Sequence, residues 1–154
     1  MRAVLVTGLV GIVFLTSAGC GGGGGGASGD LVPVAGNITV DGSPAGNVEL
    51  RFVPQGDTTG NGGGARTDST GHYDAMTTRD QKKGLPPGKY KVVASRRLNP
   101  DGSPPDPNTP PIESNAVETL PPKYSDPAKT ELFLTISPDD KRSFDFALHS
   151  IKKK

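Results

Sequence analysis

The chain has 154 residues, of which 32% are hydrophobic, with 22 glycines, 15 prolines and a formal net charge of +1. This length allows one small domain, and the near-zero charge excludes long-range attraction of nucleic acid. Because so low an apolar content lies close to that of disordered chains, the arrangement of the apolar residues decides whether the chain folds.

Residues 1–19 have the pattern of an export signal. Met1-Arg2 supply a short positive start, Ala3 to Leu15 form an apolar run, and small residues follow. The next residue, Cys20, is the only cysteine, so it has no partner for an intramolecular disulfide. The segment resembles the signal peptide of bacterial lipoproteins. The resemblance implies lipidation of Cys20, and Gly21 rather than Asp after it favours the outer membrane or cell surface over the inner membrane.

Residues 20–30 combine this cysteine with a glycine run from Gly21 to Gly26. A glycine run has no side chains to bury, so we expect a flexible tether between the lipid and the folded part. A phosphate-binding loop is excluded, because neither a Gly-Lys-Ser/Thr ending nor a helical pattern follows the glycines.

From Leu31 onward the apolar residues alternate with polar ones, which predicts short β-strands separated by turns. No segment has a helical stripe of useful length. Seven short strands without a helix predict an antiparallel β-sandwich over residues 31–151. The residues expected in its core are Val34, Ile38, Val40, Val48, Leu50, Phe52, Tyr73, Tyr90, Val92, Leu132, Leu134, Ile136, Phe144, Phe146 and Leu148.

Two connections stand out within this pattern. The first, Thr67-Asp68-Ser69-Thr70-Gly71, has a side-chain acceptor near its start and a glycine at its end, which predicts a tight turn with positive φ at Gly71. The second, residues 98–123, is dense in proline and aspartate and has no periodicity. We expect it to be a long surface loop, extended away from the core, and a place for molecular contacts.

Several motifs together carry a family resemblance. They are V-x-G-x-I-T-V-D-G-x-P from Val34, V-x-L-x-F-V-P from Val48, T-D-x-x-G-x-Y from Thr67, L-P-P-G-K-Y-K-V from Leu85, L-P-P-K-Y-S-D-P from Leu120 and F-D-F-x-L from Phe144. Across Val32 to Leu148 the chain resembles the carboxypeptidase regulatory-like domain. The resemblance implies a transthyretin-like (prealbumin-like) Greek-key sandwich, surface display and an accessory or binding role.

The sequence offers little catalytic chemistry. His72 follows a turn and is expected to face solvent, and His149 lies on the outward side of the last strand; neither has the sequence context of a hydrolase base. Oxygen ligands for calcium occur in two places, at Asp101, Asp106 and Asn108 and at Asp139-Asp140. Because their spacing lacks the dense alternation of a calcium loop, we interpret them as solvated turn residues. The sequence therefore predicts no catalytic residue, cofactor or metal.

These observations favour a lipid-anchored, non-enzymatic domain of the bacterial cell envelope, held to the membrane through Cys20. Its expected partner is an envelope protein or a glycan, with no nucleic acid. A periplasmic or surface receptor or carrier for a small ligand or glycan is the alternative. A hydrolase is a third, less favoured hypothesis.

Overall fold

The computed structural model of the protein describes residues 30–110 and 112–151. The predicted signal, Cys20 and nearly all of the predicted tether lie outside these residues. Strands dominate the described part, which confirms the all-β prediction. The elements are β1 (Ala35–Val40), β2 (Ser43–Pro44), β3 (Glu49–Gln55), β4 (Gly63–Arg66), β5 (His72–Asp74), β6 (Met76–Thr77), β7 (Gly88–Ser95), β8 (Arg97–Leu98), β9 (Val117–Glu118), α1 (Pro122–Ser125), β10 (Leu132–Ile136) and β11 (Phe146–Leu148).

The strands form two main sheets and a small ribbon. The larger sheet has five antiparallel strands in the order β10-β7-β3-β4-β6. In the smaller sheet β1 is central and pairs with β11, β2 and β5. The ribbon consists of β8 and β9. Within residues 30–110 and 112–151, no helix is long and apolar enough to cross a membrane.

One pairing departs from the expected antiparallel arrangement. β1 and β11 run parallel, with Ile38 opposite Phe146 and Val40 opposite Leu148. The alternation of apolar residues indicates which face of a strand is buried, but it carries no information about the direction of the neighbouring strand. The prediction of a wholly antiparallel fold is wrong at this pair.

The buried residues of both sheets form one hydrophobic cluster. All the predicted core residues are buried except Leu132 and Phe146, which are half-buried and pack against the cluster. These two lie on β10 and β11, the strands that end the two sheets, where fewer neighbours cover a side chain. The cluster also contains Leu85, Leu120 and Tyr124, none of which the periodicity indicated.

The turn between β4 and β5 follows the prediction closely. The Asp68 carboxylate accepts hydrogen bonds from the Thr70 amide (2.8 Å), the Thr70 hydroxyl (2.7 Å) and the His72 amide (3.1 Å). Gly71 has φ of 82°, as expected, and a Cβ atom there would lie 2.6 Å from the Ile38 carbonyl oxygen. A residue other than glycine would therefore be both strained and obstructed at this position.

The region predicted as a loop over residues 98–123 is more structured than expected. Its two ends form the β8–β9 ribbon, and its last residues begin α1. Pro121 and Pro122 start this short helix, which is compatible with proline because a first turn needs no amide donors. The helix buries Tyr124, and Leu120 just before it is fully buried. The loop that joins the two strands of this ribbon, residues 99–110 and 112–116 of the described chain, is here called the excursion.

Candidate functional site

The base of the excursion is fastened by three charged side chains. The Glu118 carboxylate accepts hydrogen bonds from the Ser95 hydroxyl (2.5 Å) and from the amides of Arg96 (2.9 Å) and Leu120 (2.9 Å). Arg96 donates to the Gly46 carbonyl (3.1 Å) and Arg97 to the Ala116 carbonyl (2.8 Å). Hydrogen bonds that involve a charged group are among the stronger ones in proteins. They hold the two ends of the excursion against the five-stranded sheet.

Within the excursion, short side chains bond to their own backbone. The Asp101 carboxylate accepts from the Ser103 amide (2.9 Å) and hydroxyl (2.7 Å), and these bonds lower the pKa of Asp101. Asp106 accepts in the same way from the Asn108 amide (2.8 Å). Such turns fix the local backbone without any apolar core.

The excursion encloses a groove of about 550 Å³ with the outer face of the five-stranded sheet, here called the proline groove. One wall carries Pro104, Pro105 and Pro107, and the other carries the Glu49–Arg66 ion pair between β3 and β4. The remaining lining residues are Asn47, Ser95, Arg97, Asp106, Thr109 and Ser114. The segment therefore faces the sheet instead of extending away from it. Its rigid rings beside charged groups form a surface suited to a polar ligand.

The oxygen-bearing residues considered for calcium and interpreted as turn residues lie in separate turns. Asp101 and Asp106 each bond within their own turn, and Asp139 and Asp140 belong to the connection between β10 and β11. In the part of the chain that the structure describes, no group of three or more His, Cys, Asp or Glu residues is placed to hold a metal ion.

Asp140 corrects the interpretation of the last turn as solvated. Its side chain is only 4% exposed and forms an ion pair with Arg142 at 2.6 Å. The hydrogen bonds from the Arg142 guanidinium hold the pKa of Asp140 well below its usual range, with a smaller contribution from the Ser137 amide. Arg142 also lies over the Phe144 ring, 5.3 Å from its centre, and donates to the Thr135 carbonyl at 3.3 Å. A carboxylate can be buried here because the cation two residues later compensates it.

The two histidines lie apart. His72 is exposed, as predicted, and its backbone pairs with Asn37 near the start of β1. His149 follows β11 and lies 3.5 Å from the Asp41 carboxylate, just beyond the end of β1. Asn37 and Asp41 are four residue steps apart, roughly 13 Å along an extended chain, so the two imidazoles have no common site.

Ser143 and Asp145 lie in the segment before β11, and His72 begins β5 on the same sheet as β11, so the three need comparison with a hydrolytic triad. The Asp145 carboxylate accepts from the Ser143 hydroxyl (2.7 Å) and from the Asn37 amide (2.7 Å), and these bonds lower the pKa of Asp145. In a hydrolase the serine donates to the histidine, and the acid holds the other ring nitrogen. Here the serine donates directly to the carboxylate, so the bond stabilises a turn and does not activate the serine as a nucleophile.

The hydroxyl groups of the two core tyrosines, Tyr73 and Tyr90, are also bonded within the fold. The Tyr73 hydroxyl donates to the Phe144 carbonyl at 2.6 Å, and the Tyr90 hydroxyl donates to the Pro86 carbonyl at 2.7 Å. Burial raises the pKa of Tyr73, and it raises the pKa of Tyr90 to about 12. Both hydroxyl groups therefore act as hydrogen-bond donors within the core.

The sequence missed Glu118, Arg97 and the Asp140–Arg142 pair. Arg96-Arg97 was visible as a basic pair, but only the folded chain shows that both side chains bond to backbone carbonyls. Comparisons of the chain with protein-family models, with curated proteins and with solved structures find no match. The residues and their geometry are therefore the basis for any conclusion about function.

Proposed function

We propose that this protein is a lipid-anchored domain of the bacterial cell envelope with a non-enzymatic accessory, structural or binding role. The anchor would be a lipid on Cys20, at the outer membrane or the cell surface. The export-signal pattern of residues 1–19 and the single cysteine support the anchor.

The observation that carries the non-enzymatic role is the engagement of polar side chains by the fold. Ser143 bonds to Asp145, Asp140 pairs with Arg142, and His149 pairs with Asp41. None of these three pairs has the order of a nucleophile and its base. Such side chains stabilise loops on a rigid scaffold, where binding proteins place their contacts.

For the fold we propose a seven-stranded Greek-key sandwich of the transthyretin-like kind, as in the carboxypeptidase regulatory-like domain. The seven strands β1, β3, β4, β5, β7, β10 and β11 have three or more residues each, and residues from both sheets share one buried cluster. An experimental structure that placed the seven strands in a different order of connection would overturn this proposal.

The anchor can be tested by metabolic labelling with an alkyne fatty acid in a bacterial host. The wild-type chain should become labelled, and the Cys20→Ser variant should not. Ser17→Ala, which keeps the cysteine, is a matched control and should retain the label. Equal labelling of the wild type and Cys20→Ser would contradict the proposal.

The proline groove supports a second candidate, a receptor or carrier for a small ligand or glycan. Its size suits a ligand of drug-like or disaccharide dimensions. Replacing residues 101–109 by a short Gly-Ser link would remove one wall and keep Glu118 and Arg97 at the base. Because loop-closure entropy changes slowly with length, the free energy of unfolding should change by less than about 1 kcal/mol.

A glycan array probed with the wild type and this loop variant tests the candidate. Signals that the variant loses while its denaturation midpoint is retained would support it. Signals that are absent from both proteins, or equal in both, would contradict it.

A further inference from the structure

The outer edge of β10 is a free strand edge that carries an exposed apolar side chain. β10 ends the five-stranded sheet, and no strand within residues 30–110 and 112–151 pairs with its outer edge. Its sequence is Leu-Phe-Leu-Thr-Ile, and Phe133 is 63% exposed. Exposed apolar edges of this kind can accept another strand, and soluble proteins commonly protect them.

The direction of the backbone groups on β10 follows from one contact. The Thr135 carbonyl accepts from Arg142 on the side away from β7, so the amide and carbonyl groups of Phe133 and Thr135 point outward. At the start of the strand, the amide of Glu131 already donates to the Lys123 carbonyl at 3.0 Å. An incoming strand would therefore bond mainly to Phe133 and Thr135.

A groove lies along this edge and is here called the edge groove. It has a volume of about 330 Å³ and separates β10 from residues 142–146, which lead into β11. Leu134, Phe144 and Phe146 are among its lining residues. Side chains that an incoming strand directs inward would meet these apolar groups, so the inward positions of a partner should be apolar.

The outward face of the sheet beside this strand carries two lysines of β7. Lys91 is directly opposite Phe133 and Lys89 directly opposite Thr135 in the register of β7 and β10. Their cross-strand neighbours on β3 are Val53 and Gln55, and neither lysine forms an ion pair with any described residue. Acidic residues at the outward positions of a partner strand would lie two strand spacings, roughly 10 Å, from these lysines, a gap that extended Lys and Glu side chains can bridge. The Lys91 ammonium also donates to the Pro127 carbonyl at 3.4 Å.

We propose that the β10 edge binds an extended segment of a partner protein, added as a further strand, whose side chains alternate between acidic and apolar. This mode of recognition takes affinity from the backbone and specificity from alternate side chains. The inference deepens the proposed binding role and is independent of the lipid anchor.

A second copy of this chain fits the edge less well. Since Glu131 is bonded to α1, two copies would pair through Phe133 and Thr135, and this register brings Lys89 and Lys91 of both copies to one face. A second copy would place its own uncharged Phe133 and Thr135 at the outward positions beside β10, so Lys89 and Lys91 would gain no opposite charge. An acidic partner would supply that charge.

The first test uses the full chain in detergent and fluorescent peptides as probes. The acidic probe is Glu-Val-Glu-Val-Glu-Val-Glu, and its control replaces each Glu by Lys. Fluorescence anisotropy at low salt should show binding of the acidic probe at least about tenfold tighter than binding of the basic one. Equal binding of the two, or no binding of the acidic probe, would overturn the proposal.

Backbone methylation separates strand addition from simple charge attraction. Residues directly opposite Phe133 and Thr135 share the outward face with them, so the Glu amides of the probe should donate to β10. N-methylation of these amides should weaken binding at least about tenfold, whereas N-methylation of the Val amides should leave it nearly unchanged. The same effect of both modifications would rule out pairing at this edge.

Protein variants locate the site. Lys89→Glu with Lys91→Glu should reverse the preference for the acidic probe, whereas Lys82→Glu with Lys83→Glu, which changes the net charge equally, should keep it. Thr135→Pro removes one outward amide and should weaken binding by about fivefold with little change in melting temperature. If the Lys82 and Lys83 variant lost the preference for the acidic probe, the proposed site would be contradicted. It would also be contradicted if the wild type formed dimers that the unlabelled acidic probe did not dissociate. Fatty-acid labelling reports on the anchor separately, so either result can fail without the other.

Discussion

The two ends of the five-stranded sheet are protected to different degrees. At one end β6 has two residues, and the chain turns back over it: Thr77 donates to the Lys82 carbonyl at 2.8 Å, and Met76 bridges to Lys83. At the other end β10 has five residues, and the Arg142 side chain donates a hydrogen bond to the outward carbonyl of Thr135. A short, covered strand closes the first edge, whereas the second is closed only by a contact that a partner could displace. The difference indicates which end of the sheet is available for binding.

The largest expected effect concerns how firmly β10 is held. Leu134 is buried on the inner side of this strand, so Leu134→Ala should reduce the free energy of unfolding by about 2–5 kcal/mol. Met76, half-buried on β6, provides the matched control, and Met76→Ala should cost clearly less. Urea denaturation measures both values. Equal losses would mean that the two end strands are equally integral to the core.

The next effect concerns the covered edge. Gly84, in the segment that returns over β6, has φ of 94°, and a Cβ there would lie 2.5 Å from the Val32 carbonyl oxygen. Gly84→Ala should therefore cost at least about 1–2 kcal/mol from the left-handed backbone alone. Gly102→Ala is the control, since Gly102 also has positive φ but a Cβ there would meet no atom within 4 Å. An excess loss at Gly84 isolates the effect of the close approach.

The third effect depends on pH and concerns the ion pair between Asp140 and Arg142, whose guanidinium also bonds to β10. Because the folded-state pKa of Asp140 is depressed, its stabilising contribution is complete above the unfolded-state pKa near 4 and disappears as pH falls through the lower folded-state value. Asp140→Asn should thus be less stable than the wild type at pH 7, and the difference should shrink between about pH 4 and pH 2. Denaturation midpoints across this range provide the measurement. A constant difference would show that Asp140 acts by packing and not by charge.

The smallest change in the free energy of unfolding is expected at Phe133, the residue next to Leu134. Phe133 is 63% exposed, so Phe133→Ser should change the free energy of unfolding by no more than about 0.5 kcal/mol. Phe133→Tyr keeps the ring and serves as the control for solubility. A loss comparable with that of Leu134→Ala would mean that the Phe133 ring is covered in solution, for example by a permanently bound partner.

The parts of this fold that depend on local pattern were predictable. Alternation placed Ile38, Phe52 and Leu134 in the core, and the Asp68 turn required a glycine at position 71. Partner choice was not predictable, because the pairing of β1 with β11 joins residues more than a hundred positions apart and leaves no local signal.

The sequence pattern also gave no sign of which residues in irregular segments are buried. Leu85 and Leu120 each precede a proline, and Tyr124 lies two residues after one, where periodicity fails, so nothing marked them as core residues. The same holds for the site. The run Ser137-Pro138-Asp139-Asp140 looked like an exposed turn, and only the position of Arg142 in the fold makes burial of Asp140 possible. The arginine was visible two residues after Asp140, but the alternation of apolar and polar residues does not show which turn carboxylate the fold will bury.

The pairing of β1 with β11 has a kinetic consequence. The amide of Asn37 on β1 donates to Asp145, which lies 108 residues later in the sequence. Because β1 is the central strand of the smaller sheet, this sheet cannot be completed before β11 is in place. Contacts this remote in sequence give a high contact order, and domains dominated by such contacts fold in milliseconds to seconds. Formation of the smaller sheet should therefore be slow, because it depends on contacts between residues near Asn37 and residues near Asp145.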